Sequence, residues 1–469
     1  AGVVAAAHPA GEGGMAVDVA VMGGGFAGLT AANRCAAQGL SVVVLEAGTE
    51  PLYPCNSRIS TGALHVTFRN PREPADALGR AILETSGGTA RPDLAQAVAA
   101  HAAAAMDWAI AEGAAFGEHP RRRGGAPMMA PLRQMRAGLD WEASGPNLFL
   151  QTLESSLARR GGTLRRGARV TGLLRDGGRV AGVVVGDEAI PAAAVVIADG
   201  GFQADAGLLA RHVTPAAGRL MQRNAGTGRG DGLRLAADAG AATVGLESFY
   251  GHVLSRDAMT RPGLWPYPQV DVICAKGVVV GPDGRRFADE GLGGIFMANA
   301  IARLPDPLSA VAVFDATVWD DARTTDNVPP NPALLDAGGT VIEAGGLAGL
   351  AAQAGIDPGG LAATVAAFNR GDRAPTRTTA VYPAHPVAQP PFYAIPLCAG
   401  ITVTSGGLAV DGHGRVLDGA DRPVAGLFAA GSAVGGIEGG PAAGYVGGLM
   451  KAFAIGLIAA DTIVAQRRR

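Results

Sequence analysis

Residues 17–47 of the 469-residue chain read VDVAVMGGGFAGLTAANRCAAQGLSVVVLEA and decide the fold. Alternating valines from Val17 to Val21 predict a buried strand, and a helix-forming run and a second apolar run follow. Between the first strand and the helix stand the three glycines of a G-x-G-x-x-G motif, namely Gly23, Gly25 and Gly28. This order of strand, glycine loop, helix and strand predicts a dinucleotide site.

The motif glycines have separate physical roles. Gly23 allows the tight turn, Gly25 lets the backbone approach a pyrophosphate, and Gly28 lets the helix pack closely on the sheet. The phosphate would then lie at the helix N-terminus, against Phe26 and Ala27. Glu46, about twenty residues on, ends the second strand, where a carboxylate can accept hydrogen bonds from ribose hydroxyls.

Composition excludes several classes of function. Hydrophobic residues make up 48% and charged residues 17%, which is typical of a globular protein. The net charge of -2 and the absence of a basic patch with interleaved aromatics argue against nucleic-acid binding. The four cysteines have no metal-like spacing, so no metal site is expected. No uninterrupted apolar run reaches membrane length and no secretory signal is recognisable, so we expect a cytoplasmic protein without a membrane span.

Length and texture predict two domains and a short extension. We assign residues 1–15 to an N-terminal extension, 16–240 and 346–469 to a nucleotide-binding domain, and 241–345 to an inserted domain richer in aromatics and proline. Within the first domain we expect a helix over 93–112, with Met106, Trp108, Ala109 and Ile110 facing the core. A β-meander should follow over 165–200, with a hairpin turn at 176–178.

Five blocks in chain order resemble the fumarate reductase and succinate dehydrogenase flavoprotein family (FAD-dependent oxidoreductase 2), particularly its tricarballylate-dehydrogenase-like members. They are VMGGGFAGL with Glu46; AVVIADGGF at 194–202; GTGRGDGLRLAADAGA at 226–241; KGVVVGPDGRRFADE at 276–290; and GITVTSGGLAVDGHGRVLD with GLFAAGSAVGG over 400–436. The resemblance implies an α/β fold: a discontinuous, Rossmann-like FAD-binding domain with an inserted α+β capping domain. It also implies one FAD per chain.

The resemblance extends the set of cofactor residues beyond the first loop. It implies that Asn56, Ser57 and the turn from Thr61 to Ala63 lie along the flavin ring. The cofactor residues predicted in all are Gly23, Gly25, Phe26, Ala27, Gly28, Glu46, Ala47, Asn56, Ser57, Thr61, Gly62, Ala63, Ala198, Asp199, Gly200, Asp231, Gly431, Ser432, Gly447, Gly448 and Leu449. His65 lies beyond the position at which some relatives attach flavin, so we expect non-covalent FAD.

The chain departs from the family at the reacting centre. No arginine follows the GRRFADE block until Arg303, and Tyr445 occupies the place of the arginine expected near the final flavin loop. A tyrosine in a similar loop acts as an acid or base in ketosteroid dehydrogenases, so Tyr445 is the first candidate for proton transfer. Tyr250 and His252 lie near the family's substrate-binding histidine, and His252 is the second candidate. The missing arginines make a fumarate-like dicarboxylate doubtful.

These residues predict an FAD-dependent oxidoreductase acting on a carbon–carbon bond next to a carbonyl or carboxyl group of a small organic substrate. Thr404 and Ser405, or backbone amides, would hold the carbonyl. A flavin oxidase or ketosteroid-type dehydrogenase for a larger apolar substrate remains open, as does a flavin-carrying electron-transfer subunit. We expect the chain to exchange electrons with an electron-carrier protein or a quinone-linked partner. Arg286 should pair with Asp289 or Glu290 rather than bind substrate.

Overall fold

The computed structural model describes residues 16–118, 126–133, 140–325, 328–372 and 374–468; the predicted extension 1–15 therefore lies outside it. Within these ranges the strands are β1 (Val17–Met22), β2 (Val42–Glu46), β3 (Ala115–Gly117), β4 (Met128–Ala130), β5 (Thr163–Arg166), β6 (Val170–Asp176), β7 (Arg179–Val185), β8 (Glu188–Ile197), β9 (Met221–Gln222), β10 (Thr243–Val244), β11 (Phe249–Ser255), β12 (Val278–Val280), β13 (Val311–Asp315), β14 (Ile342–Ala344), β15 (Phe392–Thr404), β16 (Gly407–Leu408), β17 (Arg415–Leu417) and β18 (Pro423–Ala429).

The α-helices of the same ranges are α1 (Phe26–Ala36), α2 (Asn56–Ile59), α3 (Ala75–Thr85), α4 (Pro92–Ala111), α5 (Gly145–Arg159), α6 (Ala206–His212), α7 (Asp231–Asp238), α8 (Asp271–Lys276), α9 (Gly294–Ala302), α10 (Ala316–Asp321), α11 (Pro330–Asp336), α12 (Leu347–Ala354), α13 (Pro358–Asn369), α14 (Gly448–Met450) and α15 (Gly456–Arg467). Between α14 and α15 the chain continues through one π-helical stretch, Lys451–Ile455.

The first sheet has eight strands and a parallel centre. Strands β5, β2, β1, β8 and β18 run parallel in that order, with β17 antiparallel at one edge. Antiparallel β6, β7 and β8 form the predicted meander. Because parallel strands end at one edge of a sheet, the loops after β1, β2, β8 and β18 meet there. The sheet confirms the predicted α/β class.

The helix after the glycine loop lies in the centre of the first body. Every residue of α1 except Arg34 is buried, and Phe26 packs against Phe149 and Phe453 at centroid distances of 5.7 and 5.1 Å. Small alanines on this helix let it contact α5, α15 and the sheet together. This packing fixes the helix N-terminus directly beyond β1.

A second sheet is organised around β15, the longest strand described. Its N-terminal half pairs with β13 and β14, and its C-terminal half pairs with β11 and β9. The core around this sheet also includes Phe202 and Leu209, and a smaller core beside it includes Leu361. Segments 202–222 and 347–404 therefore contribute residues that pack with residues 241–345. The domain boundaries themselves remain a prediction.

Two local expectations have mixed outcomes. The helix predicted over 93–112 is α4, in which Met106 and Ala109 are buried as expected. Trp108 is only partly buried, and Ile110 is 44% exposed, so its predicted core position is wrong. Helix α4 packs against the preceding helix α3. Ile110 lies on the exposed face of α4.

One helical run, Gly448–Arg467, is long and apolar enough by composition to cross a membrane, contrary to the expectation that no segment reaches that length. However, 72% of its apolar window is buried inside the protein. A helix that is buried in the core of a protein can be as long and as apolar as a membrane-spanning helix. The run contacts α1 and α4 in this structure.

Candidate active site

A cavity of about 960 Å³ lies between the carboxyl edge of the first sheet and the second sheet. One end is lined by the loops that follow β1, β2, β8 and β18. The other end is lined by Tyr250, His252, Tyr267 and Tyr445, with Arg223 beside them. The cavity therefore joins the glycine-loop end to a polar and aromatic end.

The glycine-loop end contains nearly all the predicted cofactor residues. Every residue of that set lines the cavity except Gly28 and Gly447. Gly28 instead faces the loop itself: a Cβ there would lie 2.0 Å from the Gly23 carbonyl oxygen. This agrees with a packing role for Gly28. Gly447 has φ of +136° and lies against His65, where a Cβ would be 2.4 Å from the His65 carbonyl oxygen.

Gly25 differs from its two neighbours in the motif because its open side faces the cavity. Apart from its chain neighbours, the only atom of the described residues that a Cβ at Gly25 would approach within 4 Å is Ser57 Oγ, at 3.1 Å. Gly23, in contrast, has φ of +102° and lies against the backbone of Ala198. The space beside Gly25 is thus open, and a side chain at this position would fill it. Such a space at a helix N-terminus is what an approaching phosphate group requires.

Polar side chains hold the loops of this end together. Glu46 accepts hydrogen bonds from Gly24 N at 2.8 Å and from Gly48 N at 2.7 Å. Ser57 Oγ accepts one from Phe26 N at 2.9 Å. Asn56 donates to the Thr402 carbonyl and accepts from Ala225 N, both at 2.9 Å. Glu46 and Ser57 thereby shape the glycine loop; their contact with a cofactor remains a prediction.

Asp199, directly after β8, offers a free acceptor to this end of the cavity. Its Oδ2 accepts a hydrogen bond from Gly232 N at 2.8 Å, whereas its buried Oδ1 has no partner among the described residues. Burial raises the pKa of this carboxyl to about 7, although the bond from Gly232 opposes the rise. A buried acceptor without a donor is costly. A dinucleotide with amine and hydroxyl donors fits such a site.

At the other end, two tyrosine rings stack face to face. Tyr250, on β11, and Tyr445 have ring centroids 3.7 Å apart and planes 15° from parallel. Tyr445 Oη accepts a hydrogen bond from Gly448 N at 2.7 Å, so its own proton is free to be donated. Burial raises the pKa of both phenols above its usual range, so both are protonated at neutral pH.

A hydrogen-bonded chain runs from Asp271 through His252 to Tyr250. Asp271 Oδ2 lies 2.5 Å from His252 Nδ1, and His252 Nε2 lies 3.0 Å from Tyr250 Oη. The other oxygen of Asp271 accepts a hydrogen bond from Val253 N at 2.8 Å. Burial lowers the pKa of His252, opposed by Asp271, so a neutral ring is favoured. With Nδ1 protonated toward Asp271, Nε2 can accept the proton of Tyr250.

The loop that carries Tyr445 is held by a buried ion pair. Glu438 Oε2 lies 2.9 Å from Lys451 Nζ, and Glu438 Oε1 accepts hydrogen bonds from Val446 N at 2.9 Å and Gly447 N at 3.2 Å. Both side chains are almost fully buried. Since buried charges without partners are strongly unfavourable, this pair fixes the loop on either side of Tyr445.

The structure does not bring Thr404 and Ser405 to the cavity, contrary to the expectation that they hold a substrate carbonyl. Both are buried, and the cavity wall is formed instead by their neighbours Thr402 and Val403. Thr404 Oγ1 accepts a hydrogen bond from Phe202 N at 3.1 Å, and Ser405 N donates to the Ser248 carbonyl at 3.0 Å. The Thr404 hydroxyl is therefore occupied by a contact within the second body, and Ser405 does not line the cavity.

Sequence reasoning missed two buried arginines at the aromatic end. Arg223 follows β9 and Arg133 follows β4; they are 8% and 6% exposed and both line the cavity. Their guanidinium carbons lie 5.3 and 6.0 Å from the ring centroid of Tyr267. Cations are therefore available here, and the doubt about carboxylate substrates that rested on missing arginines loses its basis. Nothing in the sequence distinguishes these two residues from the chain's many other arginines.

Two secondary expectations concern His65 and Arg286. His65 lines the cavity, accepts a hydrogen bond from Phe68 N at 3.1 Å, and has its pKa lowered to about 4 by burial. It is therefore a neutral ring, and non-covalent FAD remains a prediction. Arg286 pairs with Glu290 at 2.5 Å inside the second body, which confirms the predicted ion pair.

Comparisons with known proteins agree with this geometry. The chain is 32% identical over 334 residues to the 4-oxocyclohexanecarboxylate 2-dehydrogenase of Sinomonas cyclohexanicum, covering 64% of this chain and 54% of that protein. It is 27% identical over 438 residues to a probable fumarate reductase of Shewanella frigidimarina (strain NCIMB 400), covering 90% of this chain and 70% of that one. The chain thus spans about half the length of the first of these relatives.

Among solved structures, the 3-ketosteroid delta1-dehydrogenase of Sterolibacterium denitrificans superimposes with a TM-score of 0.74 at 20% identity, covering 96% of this chain and 100% of that one. At this identity the likeness concerns the fold. A profile of the family described as "FAD binding domain" matches residues 18–444. The chain belongs to this FAD binding domain family, and FAD is its cofactor.

Proposed function

We propose that this protein is an FAD-dependent oxidoreductase that adds or removes hydrogen across a carbon–carbon bond next to a carbonyl or carboxyl group. The observation that carries the proposal is the single cavity in which a dinucleotide cradle opens onto paired tyrosines, a histidine and buried cations. The two relatives named above act on, or are named for, small carboxylic acids, which supports a small organic substrate. The second sheet and its helices would act as the cap over this substrate.

FAD, when bound, supplies the hydride chemistry at one substrate carbon. The residues that would hold it are those of the glycine loop, Glu46, Asp199 and the segment from Asn56 to Ala63, all at one end of the cavity. The protein's own task at the other end is to orient the substrate, stabilise the charge that develops on its carbonyl oxygen, and move one proton.

We assign these tasks to the tyrosine pair. Tyr445, whose oxygen is held by Gly448 N, donates its free proton in a hydrogen bond to the substrate carbonyl oxygen. Tyr250 takes the proton from the second carbon while its own phenol proton passes to Nε2 of His252, which Asp271 orients; in the reverse direction the proton returns along the same path. In this scheme the first and second candidates of the sequence analysis act together, with His252 one hydrogen bond away from the substrate.

A ketosteroid-type dehydrogenase or flavin oxidase with a larger apolar substrate is the second candidate. The stacked tyrosines and the lining residues Trp265 and Tyr267 favour it. The buried Arg223 favours the small acid instead, because an apolar substrate would leave this cation without a counter-charge from the described residues.

We also propose a cytoplasmic location and electron exchange with a carrier protein or a quinone-linked partner. The burial of the apolar helix Gly448–Arg467 supports the first proposal. The proposed electron exchange with a carrier protein is supported by one relative that is named a fumarate reductase (cytochrome). The alternative of an electron-transfer subunit without a substrate of its own predicts that no organic acid or ketone reduces the flavin.

The deciding experiment is anaerobic mixing of the flavin-loaded protein with a panel of saturated cyclic and linear keto acids, ketones and carboxylic acids. We expect bleaching of the flavin absorbance by at least one keto acid, with the desaturated product in stoichiometric amount. In the reverse direction, dithionite-reduced protein should reoxidise with the unsaturated acid. Tyr445→Phe should retain flavin and slow bleaching about 100-fold. Steroids that bleach the flavin while acids do not would select the second candidate.

A further inference from the structure

Arg223 is a buried cation whose counter-charge is missing from the described part of the chain. Its Nε donates to the Pro266 carbonyl at 3.1 Å and one terminal nitrogen donates to Thr402 Oγ1 at 3.0 Å. No carboxylate of the described residues lies within ion-pair distance of it. The remaining donors of its planar fork face the cavity, and a buried guanidinium in this state is unfavourable without an anion.

A second donor without an acceptor lies beside it. The indole Nε1 of Trp265, next to the Pro266 carbonyl that Arg223 contacts, is buried and has no hydrogen-bond partner among the described residues. Trp265 also lines the cavity. Arg133 approaches the same Tyr267 ring as Arg223 and donates to the Ile59 carbonyl at 2.5 Å and the Asp140 carbonyl at 3.2 Å. Two guanidinium groups thus lie over the ring of Tyr267, and the donor of Trp265 belongs to the same cavity-lining loop; all three groups can only donate.

The anion that these donors fit belongs to the substrate rather than to the cofactor. All of Arg223's protein contacts are with residues of the second body, and the glycine loop has its own phosphate cradle beside Gly25. Arg223 also lies near enough to Tyr250, Tyr445 and His252 to shift their titration. A ligand bound by Arg223 would therefore reach the tyrosine pair.

We propose that Arg223, with Arg133 and the Trp265 N–H, binds a substrate carboxylate, and that the substrate is a compact oxo-carboxylic acid. Its carboxylate lies on the arginine side and its ketone oxygen lies at Tyr445, so the reacting carbons are held between two fixed points. This inference rests on the proposed function and narrows its substrate class. Two anchoring points would also set which carbon–carbon bond of a ring meets the flavin.

The test measures binding of a non-reacting acid to oxidised, flavin-loaded protein by the change in flavin absorbance. The probes are cyclohexanecarboxylate and its uncharged isostere, cyclohexanecarboxamide. Wild type should bind the carboxylate more tightly than the amide. Arg223→Gln and, independently, Arg133→Gln should weaken carboxylate binding about 10- to 100-fold while leaving amide binding nearly unchanged. Arg223→Lys keeps the positive charge but loses the planar guanidinium group. Its affinity for the carboxylate should therefore lie between those of wild type and Arg223→Gln.

Arg285→Gln is the matched control, because Arg285 is exposed and lies outside the cavity lining. It should bind both probes as wild type does. Equal affinity of wild type for acid and amide would overturn the proposal. The proposal would also be overturned if Arg223→Gln or Arg133→Gln lost flavin while the fraction that kept flavin bound the acid as wild type does. The arginine would then serve the cofactor rather than the substrate. Binding of the non-reacting acid can be measured without turnover. If the protein bound this acid tightly but no keto acid bleached the flavin, the proposed function would be contradicted and the carboxylate site would stand.

Discussion

Replacing Asp271 with asparagine should slow proton transfer while keeping the size and shape of the side chain. Val253 N requires an acceptor, which Asp271 Oδ1 supplies at 2.8 Å, so the asparagine oxygen must occupy that place. The asparagine NH₂ then faces His252 Nδ1, where a carboxylate oxygen lay 2.5 Å away. A donor at this position forces Nδ1 to accept, which moves the ring proton to Nε2.

The moved proton reverses the hydrogen bond to Tyr250. In wild type Nε2 accepts from Tyr250 Oη across 3.0 Å; in the variant Nε2–H donates to that oxygen. Tyr250 can then no longer pass a proton to the histidine. General acid–base help is worth about 10² to 10⁴ in rate, so substrate-driven flavin reduction should slow by roughly 100-fold or more. Folding stability should change little, because the bond to Val253 survives.

Rapid-mixing measurement of flavin bleaching gives the rate of this step directly. Asp306→Asn is a suitable control, since Asp306 is exposed and pairs with Arg219 at the surface. It should reduce flavin at the wild-type rate. A wild-type bleaching rate in Asp271→Asn, with normal flavin content, would refute the assignment of Asp271 and His252 to proton transfer and leave Tyr250 to exchange its proton without a relay.

Three further predictions concern the cofactor and the loop that carries Tyr445. Gly25→Val should fold but bind no flavin, because its side chain meets only Ser57 Oγ at 3.1 Å before filling the phosphate space; full flavin absorbance in the purified variant would contradict this. Acid precipitation of wild type should release all yellow colour into the supernatant, whereas flavin in the pellet would reveal a covalent bond. Glu438→Gln should lower the free energy of unfolding by about 3–5 kcal/mol in denaturant titration, because Lys451 keeps its buried charge, and adding Lys451→Met should restore part of that loss.

The cofactor end was predictable because its residues follow strands in the sequence. A glycine loop after an apolar strand has one common three-dimensional outcome, and the parallel order of β2, β1, β8 and β18 then brings four such loops to one edge. The motif also separates Gly25, which faces the cavity, from Gly28, which packs against Gly23, because its glycine positions have different roles.

The aromatic end was predictable in part, because its residues come from separate segments. Tyr250, His252 and Tyr445 were identified by their places in family-like blocks, but the sequence gives no sign that the two tyrosine rings stack. Asp271 was missed because it lies at the start of α8, nineteen positions beyond His252, and its role depends on β11 and α8 lying side by side. A carboxylate at a helix start is ordinarily read as a favourable end charge.

A single irregularity in β15 accounts for the misplaced hydroxyls of Thr404 and Ser405. Tyr250 pairs with Val403 whereas Gly251 pairs with Ile401, so Thr402 is the extra residue of a β-bulge. Its carbonyl accepts from Asn56 and its hydroxyl from Arg223, which ties both ends of the cavity to one residue. In a regular strand Thr402 and Thr404 would face the same side; the extra residue shifts the alternation by one, and Thr402 lines the cavity whereas Thr404 does not. The run TVTS contains threonines at both positions, and the sequence alone does not indicate which one faces the site.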